Sequence, residues 1–263
     1  NKRDAYVKRL NGIYERNLDK DEIKHIRGRA KFVAKNEVEV ALDNGGTQRV
    51  KAKHILIATG GRPKKPDIPG QELTIDSDGF FDLEQQPKSI ATSGAGYIGV
   101  EMTGMLHALG TKTHFFIRGD KLLRTFDPMI QDAVTKEYER QGINLYKGTS
   151  ITKVEDIGNG MKRVTYQEKE SKKESTVEVE VVLFATGRVP EIEDLHIKDF
   201  GIKLNDQSHI VTDEYQNTSL DNIYAIGDVC DRGYELTPVA IAAGRRLSDR
   251  LFGGKKDAHL VYE

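Results

Sequence analysis

The stretch SIATSGAGYIGVEMTGMLHALG, residues 89–110, decides the fold. It predicts a short strand, a glycine turn and a helix over about 97–109 that Gly110 ends, and a second strand follows at 113–118. The apolar residues that predict the buried face of this helix recur at helical spacing: Ile98, Met102, Met105 and Leu109. A strand, a helix and a second strand in this order form the parallel α/β unit. The first strand is unusually polar for the centre of a parallel sheet.

The glycine turn fits the pattern G-x-G-x-x-G with Gly94, Gly96 and Gly99. Gly94 permits a tight turn, Gly96 leaves room for a pyrophosphate against the backbone, and Gly99 allows close packing of helix on strand. The N-terminus of the helix offers unpaired N–H groups and partial positive charge to phosphates. Because the motif lies between a strand and a helix, it predicts dinucleotide binding rather than a glycine cluster that serves packing alone.

The choice of nucleotide depends on the end of the second strand, about 20 residues after the first glycine. NAD sites place an acidic residue there for the ribose 2′-hydroxyl, whereas this chain has Arg118, with Arg124 six residues later. Guanidinium groups stay charged and match phosphate oxygens. We therefore expect NADP(H) rather than NAD(H), the alternative being two ordinary surface charges.

The rest of the chain mixes helices with many short strands. Helices are predicted over 4–18, 127–141 and 237–252, the last with Thr237 as N-cap and Pro238 at the first helical position. Strands are predicted at 30–33, 38–42, 49–51, 54–59, 144–146, 151–154, 163–167, 177–185 and 222–226. The unbroken apolar run 55–58 is typical of a strand buried on both faces.

Composition excludes several classes of protein. The 263 residues carry 40 Lys and Arg against 41 Asp and Glu, and this balance argues against a nucleic-acid or membrane-surface partner. No apolar run approaches the ~20 residues of a membrane span. The single cysteine, Cys230, excludes an intrachain disulfide and a thiolate metal cluster, so we expect no metal, a small structural role for the thiol and a reducing compartment.

Long specific stretches of the chain resemble the flavin-dependent pyridine nucleotide–disulfide oxidoreductases. They are HILIATGGRP (54–63), SDGFF (77–81), GAGYIGVE (94–101), IRGDKLLRTFD (117–127), FATGRVP (184–190), DEYQNTS (213–219), YAIGDVC (224–230) and ELTPVAIAAGRRL (235–247). The resemblance implies an α/β, Rossmann-like three-layer FAD/NAD(P)-binding fold. A partial FAD-binding domain would take residues 1–60, an inserted NADPH-binding domain 61–190, and a return to the FAD-binding and central region 191–263.

The family also implies roles for matched positions. Asp228 would hydrogen-bond the ribityl chain of FAD, Thr237 would place a helix N-terminus near the flavin ring, and Ala30 would contact the flavin nucleotide. Tyr97 would cover the ring as a gate. The remaining NADPH contacts would include Ala95, Ile98, Glu101, Gly187 and either Glu235 or Leu236. Tyr14 and Arg245 match positions that touch glutathione disulfide in the family.

The reaction implied by the family runs from NADPH to FAD and then through a redox dithiol to a disulfide substrate. The two arginines disfavour dihydrolipoamide dehydrogenases. The stretch IRGDKLLRTFD together with Tyr14 and Arg245 favours glutathione disulfide as the substrate, and a thioredoxin reductase-like enzyme is one alternative. The family's redox Cys pair and its His–Glu pair have no match in this chain, so no catalytic residue is predicted within it. The alternative is therefore a non-catalytic NADP(H)-binding module. The parent protein is expected to be a homodimer in the cytoplasm, with mitochondria as an additional candidate compartment.

Overall fold

A computed structural model describes residues 2–262 of the chain. The chain forms two compact units: residues up to 60 together with those from 190 onward, and residues 61–189. The sequence-based boundaries at 60/61 and 190/191, and the assignment of the segments to FAD or NADPH, stay predictions. The end residues 1 and 263 of those predicted domains lie outside the described range.

Helices and strands alternate between residues 77 and 147, and strands dominate elsewhere. The α-helices are α1 Lys2–Lys20, α2 Ser77–Asp82, α3 Tyr97–Ala108, α4 Pro128–Arg140 and α5 Thr237–Leu251. The strands are β1 Gly28–Ala34, β2 Glu37–Leu42, β3 Thr47–Lys51, β4 Ile55–Ile57, β5 Gly61–Pro63, β6 Ser89–Ser93, β7 Lys112–Ile117, β8 Asn144–Lys147, β9 Thr149–Gly158, β10 Met161–Glu168, β11 Glu174–Val179, β12 Val181–Phe184, β13 Arg188–Pro190 and β14 Ile223–Ala225.

The second unit has three layers around a parallel sheet of order β12-β6-β7-β8. Successive side chains of a strand point to opposite faces, so β7 sends Phe115 and Ile117 toward α3 and α4, and Phe116 toward the antiparallel sheet β11-β10-β9. Helices therefore cover one face and a meander covers the other. The predicted Rossmann-like α/β class is confirmed.

The polar strand β6 lies in the middle of this sheet despite its composition. Ile90, Ala91 and Thr92 have no exposed surface, and β6 pairs in parallel with both β12 and β7. The Thr92 hydroxyl has no hydrogen-bond partner among the described residues. Pairing with a strand on each side thus keeps β6 buried, although its side chains are not strongly apolar.

The first unit is built from the antiparallel sheet β1-β2-β3 and the parallel pair β14-β4. Its core gathers Phe32 of β1, Ile57 of β4 and Ile223 of β14. The prediction that residues 55–58 are buried on both faces is wrong, because Leu56 is 45% exposed on a strand that pairs only with β14 within the described chain. Helix α1 buries none of its described residues.

The buried face of α3 differs from the predicted apolar stripe. Met105 and Leu109 are 45% and 66% exposed, whereas Gly99, Met102, Thr103 and Leu106 face the sheet. The i, i+3, i+4, i+7 spacing is helical as expected, but small residues and a threonine form part of the packed face. The prediction from hydrophobicity alone therefore placed the buried face of α3 partly on residues that are exposed.

Two predicted boundaries need correction. The long strand 177–185 is two strands, β11 and β12, which break at Glu180, where the carboxylate accepts from the Lys88 N–H at 2.6 Å and the backbone N–H donates to Ser89 Oγ at 3.1 Å. Thr237 is the first residue of α5 rather than its N-cap. Leu236 caps that helix with an extended backbone, and its carbonyl accepts from the N–H groups of Val239 and Ala240.

Candidate dinucleotide-binding site

The three glycines of the turn between β6 and α3 have different surroundings. Gly94 has a φ of 126°, and a Cβ there would lie 2.2 Å from the Ala185 carbonyl oxygen. A Cβ on Gly99 would lie 2.1 Å from the Gly94 carbonyl oxygen. A Cβ on Gly96 would meet nothing within 4 Å. Two of the glycines are thus required by packing, while the third faces open space that a ligand can enter.

Helix α3 begins directly at this open glycine. Gly96 is the N-cap and makes no side-chain cap hydrogen bond, and the partial positive charge of a helix N-terminus favours an anion there. Tyr97 is 46% exposed, Ile98 is half-buried, and Glu101 is exposed one turn later. The predicted residues Gly94 to Glu101 therefore lie together along one turn and the first turn of one helix, although their contact with a nucleotide stays a prediction.

The loop between β7 and α4 carries both arginines. Arg118 and Arg124 are exposed, and neither guanidinium has an ion-pair or hydrogen-bond partner within residues 2–262. The backbone N–H of Leu123 donates to the Ala95 carbonyl at 2.8 Å, which ties this loop to the glycine turn. The structure thus brings the two predicted halves of the site together: a turn suited to pyrophosphate and the loop that carries Arg118 and Arg124.

Gly187 lies near the same turn. It follows β12 by three positions, and the N–H of Ala185 in the same segment donates to the Ser93 carbonyl at 2.8 Å. Gly187 is exposed with a φ of 124°, and a Cβ there would contact nothing within 4 Å. The structure therefore places this predicted NADPH contact beyond the carboxyl end of the parallel sheet, where ligands of open α/β sheets bind.

The other predicted cofactor residues lie in the first unit. Asp228 and Glu235 both line a cavity of about 120 Å³, together with most residues of the segment between them. Leu236 and Thr237 mark the start of α5 and are exposed, and Ala30 lies on β1 opposite Val40. Asp228 on a cavity wall and an uncapped helix start fit a polar, partly anionic cofactor such as FAD.

The predicted substrate residues lie on two helices of the first unit. Tyr14 is 65% exposed on α1, and Arg245 is exposed on α5, beside Arg246 and Asp249. Both side chains are accessible to a solute. Their contact with glutathione disulfide stays a prediction.

The thiol of Cys230, the single cysteine of the sequence, has low reactivity. Cys230 is 6% exposed, and burial is the main cause that raises its pKa to about 12. A thiol with such a pKa is protonated at neutral pH and a poor nucleophile.

Within residues 2–262 no group of three or more His, Cys, Asp or Glu side chains could hold a metal ion, and no helix has the length and apolarity to cross a bilayer.

Sequence reasoning missed the residues that hold the arginine loop. Leu122 and Leu123 are buried, Leu122 donates its N–H to Thr135 Oγ1, and the Gln131 amide reaches the loop backbone from α4. The adjacent apolar pair Leu122 and Leu123, in a segment 118–127 that is mostly polar, is a signal that could have predicted the buried anchor. Nothing in the sequence singles out Gln131 or Thr135.

Comparison with known proteins settles the family. Residues 2–244 match the family model described as pyridine nucleotide-disulphide oxidoreductase. The chain belongs to this family. Among the relatives of this pyridine nucleotide-disulphide oxidoreductase, a glutathione reductase of Schizosaccharomyces pombe is 51% identical over 265 residues, covering 100% of this chain and 56% of the relative. A glutathione reductase of Yarrowia lipolytica is 50% identical over 257 residues, 96% of this chain and 54% of the relative. The chain thus spans about half the length of the curated relatives that it matches.

Proposed function

We propose that the second unit binds NADP(H). The observation that carries this proposal is the hydrogen bond from Leu123 to Ala95, which joins the loop to the open glycine turn. This loop carries two guanidinium groups that have no partner among the described residues. The turn and the start of α3 would hold the pyrophosphate. Arg118 and Arg124 would then bind the 2′-phosphate, which NAD(H) lacks.

We further propose that the parent protein is an NADPH-dependent flavoprotein that reduces glutathione disulfide. The family match and the names of the relatives support this activity. FAD, when bound, supplies the two-electron relay between nicotinamide and disulfide. In this chain the Asp228 carboxylate would accept a hydrogen bond from a ribityl hydroxyl, and the uncapped start of α5 would stabilise negative charge on the flavin ring.

One observation favours a narrower function for these 263 residues taken alone. They contain a single cysteine, and its thiol is buried, so they cannot form the dithiol that passes electrons to a disulfide. The piece by itself would then be an NADP(H)-binding module without turnover. We also propose that the parent is a homodimer in the cytoplasm, with mitochondria as an additional candidate compartment, and this proposal rests on the family resemblance alone.

The nucleotide proposal is tested with Arg118→Ala and Arg124→Ala in the full chain, by calorimetric titration with NADP⁺ and NAD⁺. Each substitution should weaken NADP⁺ binding about tenfold or more, because charge-assisted hydrogen bonds are lost, and change NAD⁺ binding by less than about twofold. Arg163→Ala is the control, since Arg163 is an exposed arginine of the same unit that pairs with Glu178. An unchanged NADP⁺ preference in both arginine variants would refute the clamp.

The substrate proposal needs the complete parent protein. NADPH oxidation should depend on added glutathione disulfide and not on added oxidised thioredoxin. Turnover with thioredoxin alone would instead assign the parent to thioredoxin reductases.

A further inference from the structure

The loop that carries the arginines is held from several sides. Leu122 is wholly buried and its N–H donates to the buried hydroxyl of Thr135 at 3.0 Å, while Leu123 is 8% exposed. The Gly148 N–H donates to the Gly119 carbonyl at 3.2 Å. These contacts hold the segment 118–127 near its start and in its middle, and the other residues of the segment are exposed.

The backbone of Leu123 adopts an uncommon conformation. Its φ is 56°, in the left-handed region that bulky side chains rarely occupy. The Phe126 N–H donates to the Leu123 carbonyl at 2.8 Å and closes a turn around Arg124. Such a conformation persists only where the surroundings hold it, and such positions cluster at ligand-binding sites.

Gln131 supplies the contact that reaches Arg124 itself. Its Nε2 donates to the Arg124 carbonyl at 3.2 Å and to the Phe126 carbonyl at 2.8 Å. Gln131 is half-buried near the start of α4, and Asp127 caps that helix by accepting from the Met129 N–H at 2.8 Å. The helix therefore holds the backbone of Arg124 through Gln131, and the guanidinium group is left to a ligand.

We propose that Gln131 is a positioning residue that determines nucleotide specificity. It keeps the turn around Arg124 in place before the ligand arrives, so the 2′-phosphate meets an ordered cation instead of ordering the loop itself. The affinity of a nucleotide without the 2′-phosphate depends little on whether the turn around Arg124 is ordered. The inference rests on the proposed binding of NADP(H) at this site.

The test compares Gln131→Met with Gln141→Met in the full chain. Methionine keeps the side-chain length and removes the amide. Gln141 is the matched control, because it lies at the other end of α4 and its amide donates to exposed Glu137. Calorimetry with 2′,5′-ADP and 5′-AMP should show roughly three- to tenfold weaker binding of 2′,5′-ADP to Gln131→Met, since two hydrogen bonds are lost. Binding of 5′-AMP to that variant, and of both nucleotides to the control, should stay within about twofold.

The outcomes separate this inference from the proposed function. Unchanged 2′,5′-ADP binding in Gln131→Met, while Arg124→Ala weakens it, overturns the inference and leaves the proposed function standing. Equal weakening of both nucleotides also overturns it, because a merely structural residue would act in that way. If neither Arg118→Ala nor Arg124→Ala affects 2′,5′-ADP, the proposed function itself fails. Gln131→Ala removes the same two hydrogen bonds should methionine not be tolerated.

Discussion

Positions 96 and 99 are both glycine, but for different physical reasons. Gly99 packs against the Gly94 carbonyl, whereas Gly96 borders open space. Their spacing predicted both roles from the sequence, because the turn geometry of a strand–glycine–helix junction is largely local. The structure adds the contact atoms that make one of them a requirement of the fold.

Alanine at these two positions should separate stability from binding. Gly99→Ala should destabilise the chain by about 3 kcal/mol or more, because the new methyl group overlaps backbone that cannot move aside. Gly96→Ala should cost about 1 kcal/mol or less, as an N-cap exchange, yet weaken NADP⁺ binding at least tenfold by filling the ligand space. Thermal unfolding and calorimetric titration measure the two effects. Equal stability losses, or intact NADP⁺ binding in Gly96→Ala, would contradict this division.

Other residues of the site could not be predicted from the sequence. Gln131 acts through its amide on carbonyls five and seven residues earlier, and only the turn at Leu123 brings those carbonyls within its reach. No rule based on composition or residue spacing predicts that a leucine adopts a left-handed backbone conformation. Local motifs therefore predict which groups would meet the ligand, while the residues that hold those groups are identified only by the three-dimensional fold.

At the scale of secondary-structure elements, the periodicity of apolar residues predicted most helices and strands. It failed where two strands share one apolar stretch of sequence. Residues 177–185 look like a single strand because every second position is apolar or small, yet β11 pairs antiparallel with β10 and β12 pairs in parallel with β6. The break at Glu180 depends on partners about 90 residues away. Such long-range pairing has no signature in a local window.

The strands β7 and β8 carry a buried titratable pair. His114 is 7% exposed, and its Nδ1 lies 3.0 Å from the Tyr146 hydroxyl, whose ring stacks on Phe116 with centroids 4.4 Å apart. Burial, with a smaller effect of Lys112, lowers the pKa of His114 below its usual 6.5. The neutral imidazole is therefore the form that the folded sheet favours.

This pair should make the stability of the chain fall in mild acid. Below pH 6.5 the unfolded state binds a proton on His114 before the folded state does, so the free energy of unfolding decreases as pH falls from 6.5 toward the lowered pKa. Above 6.5 the contribution is fully present. His114→Gln should give a shallower pH dependence in chemical denaturation between pH 7 and 5. A slope identical to that of the unaltered chain would exclude His114 as its source.

At the scale of the whole molecule, one motif and its surroundings predicted the α/β class, and the comparisons place the chain in the pyridine nucleotide-disulphide oxidoreductase family. Each of the two units has its own core. The sequence could not predict how much apolar surface stays exposed, such as Leu56 of β4 or the face of α1, because burial depends on which elements exist to cover it.

The most direct measurement is the affinity of the unaltered chain for NADP⁺ and NAD⁺, determined side by side by calorimetry at the same salt concentration. Two guanidinium groups that have no partner within residues 2–262 lie beside an open glycine turn. They predict that NADP⁺ binds at least about tenfold more tightly than NAD⁺, and that this advantage shrinks as salt rises. Equal affinities, or tighter binding of NAD⁺, would contradict the account.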